Sequence, residues 1–136
     1  MEQTSLESTL CSGEKVWYEY DQESDLLEVV FKAAEATAAI ELTESIVLRF
    51  DWETAEPLSL SFISFSRLVQ PAEYGENHFP LLADEWPDEA QEKVWAMLRA
   101  APLNEFLQLG SYAPPHGRQT IPIAVVKRPA VLATAA

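Results

Sequence analysis

The sequence has few of the residues that metal, nucleotide and disulfide sites require. Its 136 residues include one cysteine, two histidines and four glycines. A single cysteine, Cys11, excludes an internal disulfide and a cysteine-based zinc site. It lies in a polar segment and has no recognisable basic partner that would lower its pKa. The scattered glycines form neither a phosphate-binding loop nor a dinucleotide fingerprint, so we expect no cofactor.

Positive charge is also scarce. Nine Lys and Arg stand against 22 Asp and Glu, which gives a formal net charge of −13. The acids are concentrated in residues 1–70, which hold 14 of them against four basic residues. Such a field repels phosphate backbones and disfavours nucleic-acid binding. It suits solubility, and it also suits a basic protein partner.

Long apolar runs are missing as well. No stretch of about 18 apolar residues is present, so we expect no transmembrane helix and no membrane contact. The N-terminus, MEQTSLESTLCSGEK, has acids where a signal peptide has a basic region. With 48% hydrophobic residues, a chain of this length can bury a core as one domain. We therefore expect a single cytoplasmic domain.

What the sequence does contain is a period-two alternation of apolar residues over residues 15–68. It predicts a β meander of about four strands after a polar leader over residues 1–14. The strands are expected at Lys15–Tyr20, at Leu26–Phe31, around Ala39–Leu42, at Ile46–Phe50 and at Leu58–Phe65. The alternation changes phase near Phe62 and Ile63, which indicates either a bulge there or burial of both faces. No internal repeat is visible.

The second half has helical spacing. In residues 84–110, Pro87 and two following acids predict the start of a main helix with an apolar stripe at Val94, Met97, Leu98 and Ala101. The segment PLNEFLQL predicts a short second helix that Gly110 ends. Residues 120–126 predict an edge strand because Pro122 lacks an N–H, and residues 127–136 a flexible tail.

These elements predict an α+β fold. We expect an antiparallel sheet of four or five strands, with one main helix and a short second helix packed on one face. A pure β sandwich is the alternative architecture.

Two groups of polar residues are candidates for chemistry. Asp21, Glu23 and Asp25 alternate like early calcium ligands, but a calcium loop needs Gly and Glu where this chain has Leu26 and Lys32. We therefore interpret DQESD as a hairpin turn. His78 and His116 are acid–base candidates only if the fold brings one of them to a carboxylate. In that case the protein would bind a small molecule or be a hydrolase, with a pocket between helix and sheet.

Apolar residues indicate an interaction surface instead. The side chains of Leu26, Val30, Val47, Ile63 and Phe65 fall on the face opposite the expected core. Trp52 lies in a polar turn and is a further candidate. A small sheet with a second apolar face and open edges favours a homodimer.

The strand region resembles a known family. The spacing Tyr20-Asp21-x-x-x-Asp25-x-Leu27-x-Val29-x-Phe31, followed by Ile46–Asp51 and by Leu58–Phe65, is similar to the DUF2283 family of small bacterial proteins of unknown function. The resemblance covers residues 17–68. The segment Pro102–Leu107 resembles a C-terminal extension of cyanobacterial relatives. The resemblance implies a β-rich bacterial module, with an antitoxin-like role as one expectation and no catalytic residue.

The leading hypothesis is therefore a non-enzymatic protein-interaction module. Self-association is the first expectation and a basic protein is the second partner. A deep cleft that joins either histidine to a carboxylate would favour the small-molecule alternative.

Overall fold

The strands of this protein form two antiparallel sheets. A computed structural model describes residues 3–9, 13, 15–68, 78–112 and 121–126. The strands are β1 Gln3–Thr9, β2 Lys15–Asp21, β3 Leu26–Val30, β4 Ala38–Thr43, β5 Ile46–Asp51, β6 Glu56–Ile63, β7 His78–Pro80, β8 Leu107–Tyr112 and β9 Ile121–Val126. The helices are α1 Phe65–Leu68 and α2 Asp88–Leu98, and 3₁₀ turns lie at Ala83–Glu85 and Leu103–Glu105. The predicted α+β class is confirmed.

The larger sheet has the strand order β1-β2-β3-β6-β5-β4. Its first strand, β1, falls inside the predicted polar leader and pairs with β2 along its whole length. Backbone hydrogen bonds at a sheet edge need no hydrophobic alternation, so the sequence pattern gives little sign of this strand. Two three-stranded meanders therefore meet at the antiparallel pair β3–β6, which relates them by an approximate two-fold axis.

The two meanders contain the same hairpin. The Oδ1 atoms of Asp21 and Asp51 each accept hydrogen bonds from the N–H groups two and three residues later. Each turn then ends in a left-handed residue, Asp25 with φ of 54° and Ala55 with φ of 55°. The segments KVWYEYDQES and SIVLRFDWET thus occupy equivalent places. The expectation that the chain has no internal repeat is therefore corrected. The repeat is hard to see in the sequence because the two copies share a polarity pattern but few identical residues.

One face of the larger sheet is the core face. Its inward residues include Tyr18, Val29, Leu60 and Leu48, which stand side by side across four strands and are buried. Helix α2, the Leu103–Glu105 turn and the smaller sheet join the same hydrophobic cluster. Burial of each large apolar side chain stabilises the fold by about 1.5–3 kcal/mol.

Two hydrogen bonds to backbone carbonyls of β4 attach the second half to the sheet. The indole Nε1 of Trp86 donates a 2.8 Å hydrogen bond to the carbonyl of Glu41. The N–H of Leu82 donates to the carbonyl of Leu42, also at 2.8 Å. The Trp86 ring in turn packs edge-on against Trp95 of α2, with 5.4 Å between centroids. The edge of the larger sheet at β4 is thereby partly satisfied by the connection to α2.

The helical prediction for residues 84–110 holds only for α2. Pro87 directly precedes α2, and the buried side of this helix carries Val94, Met97 and Leu98. PLNEFLQL is not a helix: it forms the Leu103–Glu105 turn and then enters β8. Its apolar residues still face the core, but strand pairing with β9 replaces the helical spacing. The short second helix is α1 instead.

Strand β9 is not at an edge. It is the central strand of the smaller sheet, between β7 and β8. Pro122 fits there because β7 ends at Pro80, whose partner is Ile123. The Pro122 carbonyl accepts a 3.0 Å hydrogen bond from Leu81, just beyond that end. In an antiparallel strand the N–H and C=O of one residue point to the same neighbouring strand. The nitrogen of Pro122 therefore faces the chain beyond the end of β7, where no strand hydrogen bond requires an N–H donor.

Candidate interaction surface

The larger sheet has a second face, here called the outer face. The described helices and the smaller sheet pack on the core face, which leaves the outer face without a layer among the described residues. Strand register defines its members. Its central members, on β2, β3, β5 and β6, are Trp17, Glu19, Leu26, Glu28, Val30, Val47, Arg49, Ser59, Ser61 and Ile63.

Apolar side chains on the outer face are partly open to solvent. Trp17 is 41% exposed and Ile63 is 45% exposed, and these are the exposed large hydrophobic residues of the described chain. Leu26, Val30 and Val47 are half-buried between them. Aromatic and branched apolar groups in this setting are typical of an interface core. The face combines them with charged residues.

Arg49 is the cation at the centre of the outer face. Its Nη1 donates a 2.7 Å hydrogen bond to the hydroxyl of Ser61, a neutral acceptor. The ion pairs between described side chains, Lys15–Glu7 and Lys32–Glu56, do not include Arg49. Because the guanidinium carries five donors, it retains capacity for a partner.

Two serines and two acids also lie on the outer face near Arg49. Ser59 and Ser61 are each only 7% exposed, so both faces of β6 are buried, as one of the two sequence alternatives states. The bulge is not at Phe62 but between the pairs made by Arg49 and Phe50. Glu19 and Glu28 stand directly opposite each other across β2–β3. Like charges in that arrangement are destabilising and favour a donor-bearing partner.

Phe65 is not on the outer face, which corrects its assignment. It lies in α1 and is 7% exposed. Its ring packs edge-on against Tyr20 at 6.1 Å and against Phe62 at 6.0 Å. The cause is Ser64, whose φ of 56° ends β6 in a left-handed turn and returns the chain to the core face. No alternation pattern encodes that turn.

Trp52 lies in the β5–β6 turn and is half-buried. Its N–H donates to the hydroxyl of Thr37 at 2.8 Å, and its carbonyl accepts from Lys93 Nζ at 2.9 Å. The same ammonium lies 4.9 Å from the centroid of the indole ring. The ring also packs against Phe50, at 6.1 Å between centroids. Trp52 therefore connects α2 to the end of the sheet.

The acidic turn between β2 and β3 has a structural role, because hydrogen bonds of Asp25 connect it to α1. The Tyr20 hydroxyl donates to Asp25 Oδ1 at 2.6 Å, and the Ser66 hydroxyl donates to Oδ2 at 2.6 Å. The N–H of Ser66 also lies within hydrogen-bond distance of both oxygens. The Asp25 carbonyl accepts from Phe65 at 3.0 Å, so one residue joins the β2–β3 turn to α1. Within the described ranges, no three potential ligands are grouped to hold a metal.

This network shifts two pKa values. Burial raises the pKa of Asp25, but the hydrogen bonds from Ser66 and Tyr20 outweigh burial and hold the pKa below its usual value. The hydrogen bond to Asp25, followed by burial and the charges of Asp25 and Asp21, raises the pKa of Tyr20 to about 12. The carboxylate and the phenol are thus both held in their ordinary charge states at neutral pH.

The predicted acid–base residues do not form a described site. His78 begins β7, where its backbone pairs with Val125. His116 and Cys11 lie outside the described residues, as does the predicted tail over residues 127–136. A cavity of about 450 Å³ does lie between the sheet and the chain that follows α2, but its lining contains no histidine.

None of the described helices has both the length and the apolar composition needed to cross a membrane. No family model, curated protein or solved structure matches this chain. The resemblance to the DUF2283 family accordingly stays a prediction.

Proposed function

We propose that this protein is a non-enzymatic interaction module whose outer face binds a second copy of the chain. The observation that carries the proposal is the exposure of Trp17 and Ile63, at 41% and 45%, on a face that no described layer covers. Two sheets that stack face to face bury such residues in a shared core about 10 Å thick. Partly exposed apolar groups would then lie in an environment like a protein interior.

The pattern on the outer face is complementary to itself. Trp17, Val30, Ser59 and Arg49 occupy one row across β2, β3, β6 and β5. A two-fold axis parallel to the strands and above the β3–β6 boundary places β2 of one copy over β5 of the other. Trp17 of each copy then meets Arg49 of its partner. An arginine over an indole ring is a favourable cation–π contact, and symmetry supplies it twice.

Sedimentation velocity over a range of protein concentrations tests this proposal. The wild-type chain is expected to form a dimer at micromolar concentration. Trp17→Glu is expected to abolish the dimer because it buries a charge in the interface. Arg49→Ala is expected to weaken it by about 1–2 kcal/mol in total, since each cation–π contact contributes about 0.5–1 kcal/mol.

Gln108→Glu is the matched control. Gln108 is exposed on β8 of the smaller sheet, away from the outer face, and the variant adds one negative charge as Trp17→Glu does. The control should dimerise like the wild type. A wild-type chain that sediments as a monomer would overturn self-association and leave a basic protein, attracted by the pair Glu19 and Glu28, as the occupant to test.

A further inference from the structure

A cavity that the proposed function does not use lies at one end of the larger sheet. Its volume is about 450 Å³, within the range of small-molecule sites. It is bounded where β2 begins, where β3 has just ended and where β6 begins, and the chain after α2 closes it. The lining residues are Lys15, Phe31, Lys32, Glu56, Pro57, Ala101 and Pro102.

Two lysines line this cavity. Lys15 begins β2, and Lys32 lies two residues beyond the end of β3, the strand that pairs with β2. Each ammonium also has an acidic partner: Glu7 Oε1 is 3.8 Å from Lys15 Nζ, and Glu56 Oε1 is 3.0 Å from Lys32 Nζ. All four groups are largely exposed, so each ion pair is weak and exchangeable.

The charge of this cavity contrasts with the rest of the chain. Two of the nine basic residues of a chain with net charge −13 line this one cavity. Like charges that share a cavity repel each other. An anion bound between the ammonium groups relieves that repulsion, so the two lysines favour an anionic ligand.

The remaining lining is apolar. Phe31 is half-buried, and its ring packs on Phe106 with 5.7 Å between centroids. Pro57 and Pro102 also line the cavity, and the ring of each proline restricts its backbone. A ring held by this packing is ordered before a ligand arrives, which lowers the entropic cost of binding.

We infer that this cavity binds a small organic anion that joins a carboxylate or phosphate group to an apolar ring. The anionic group lies between Lys15 and Lys32, and the ring lies against Phe31 and the prolines. The site requires neither the proposed dimer nor a histidine.

NMR titration of the ¹⁵N-labelled full chain tests the inference with phenyl phosphate, benzoate, inorganic phosphate and benzyl alcohol. The first two combine a ring with a charge, and either is expected to cause saturable shifts at Phe31, Lys32 and Ala101. Inorganic phosphate and benzyl alcohol, which each lack one of the two parts, should bind at least about fivefold more weakly. Absence of shifts with both ring-bearing anions, or equal binding of inorganic phosphate, overturns the inference.

Substitutions at the cavity should have opposite effects. Lys32→Gln should weaken binding about fivefold, and Lys32→Arg should restore it. Glu56→Gln should strengthen binding, because it frees the Lys32 ammonium. Arg67→Gln is the charge-matched control. Arg67 lies in α1, which follows the C-terminal end of β6, whereas Glu56 is the first residue of that strand. Changes of the same sign in Lys32→Gln and Glu56→Gln, or an equal loss in the control, would refute the site.

Discussion

The hydroxyl of Tyr20 and the carboxylate of Asp25 are 2.6 Å apart, and their hydrogen bond closes the first hairpin onto α1. Tyr20 lies at the end of a strand, and Asp25 is a left-handed residue of the following turn. The acidic turn is thus used to position backbone and hydroxyl groups. Its equivalent in the second hairpin, Ala55, has the same backbone conformation but no carboxylate to make such contacts.

Asp25→Asn should destabilise the protein by about 1–3 kcal/mol, because the charged acceptor of the Tyr20 and Ser66 hydroxyls is lost. Asn tolerates the left-handed conformation, so the change isolates the charge from backbone strain. Urea denaturation followed by tryptophan fluorescence measures the loss. The control is Glu23→Gln in the same exposed turn, which should stay within about 0.5 kcal/mol. An equal loss of stability in the two variants would contradict the structural role of Asp25.

The raised pKa of Tyr20 predicts an alkaline loss of stability. The folded state retains the phenolic proton to about pH 12, whereas an unfolded tyrosine releases it near 10. The folded state therefore binds more protons between these values, and the contribution of Tyr20, complete below pH 10, is lost as pH rises. Urea titrations at increasing alkaline pH measure this slope.

Tyr20→Phe should reduce the alkaline slope. Tyr18→Phe should reduce it as well, because burial, followed by the charge of Glu105, raises the pKa of Tyr18. A slope that is unchanged in Tyr20→Phe would show that its phenol does not titrate in the folded state as the hydrogen bond to Asp25 requires.

Phe65→Ala should cost about 3–5 kcal/mol, as expected for a buried aromatic ring that leaves a cavity. The residue is 7% exposed and contacts Tyr20 and Phe62. Ile63→Ala, which removes a 45% exposed side chain two residues earlier, should cost far less. Both are compared by thermal unfolding below the concentration of self-association. A small loss of stability in Phe65→Ala would indicate that Phe65 lies on the surface, as the alternation predicts.

Lys93→Met should destabilise the protein by about 1–2 kcal/mol. The variant keeps an unbranched side chain but loses the hydrogen bond to the Trp52 carbonyl and the cation above its ring. Glu92→Gln is the control, because Glu92 directly precedes Lys93 in α2 and is exposed. Chemical denaturation gives the free energies of unfolding. If both variants have the same free energy of unfolding as the wild type, the contact between α2 and the β5–β6 turn does not stabilise the fold.

Local signals in the chain account for the elements with strong patterns. Alternation of Val16, Tyr18 and Tyr20 with polar residues predicts β2, and Pro87 with the following acids predicts the start of α2. These signals depend on neighbouring residues, which the chain itself specifies. They do not locate β1, whose pairing with β2 uses backbone groups that every residue carries.

The outer face and the cavity were less accessible to sequence reasoning. Val47 and Ile63 belong to the outer face by parity, but Phe65 does not, because one left-handed residue at Ser64 redirects the chain. Lys15 and Lys32 line one cavity because β2 pairs with β3 and because the chain after α2 packs at that end of the sheet. The second of these contacts joins distant segments, and no local pattern encodes it.

By itself, the sequence determined the α+β class, the strands β2 to β6, the main helix and an acidic surface, because periodicity, capping and charge are local properties of a chain. The tertiary structure alone decided the strand order, the pairing of two equivalent hairpins, the central place of β9 and which face of the sheet received the second half. Those features depend on contacts between distant segments, and their free energies appear only when the segments meet.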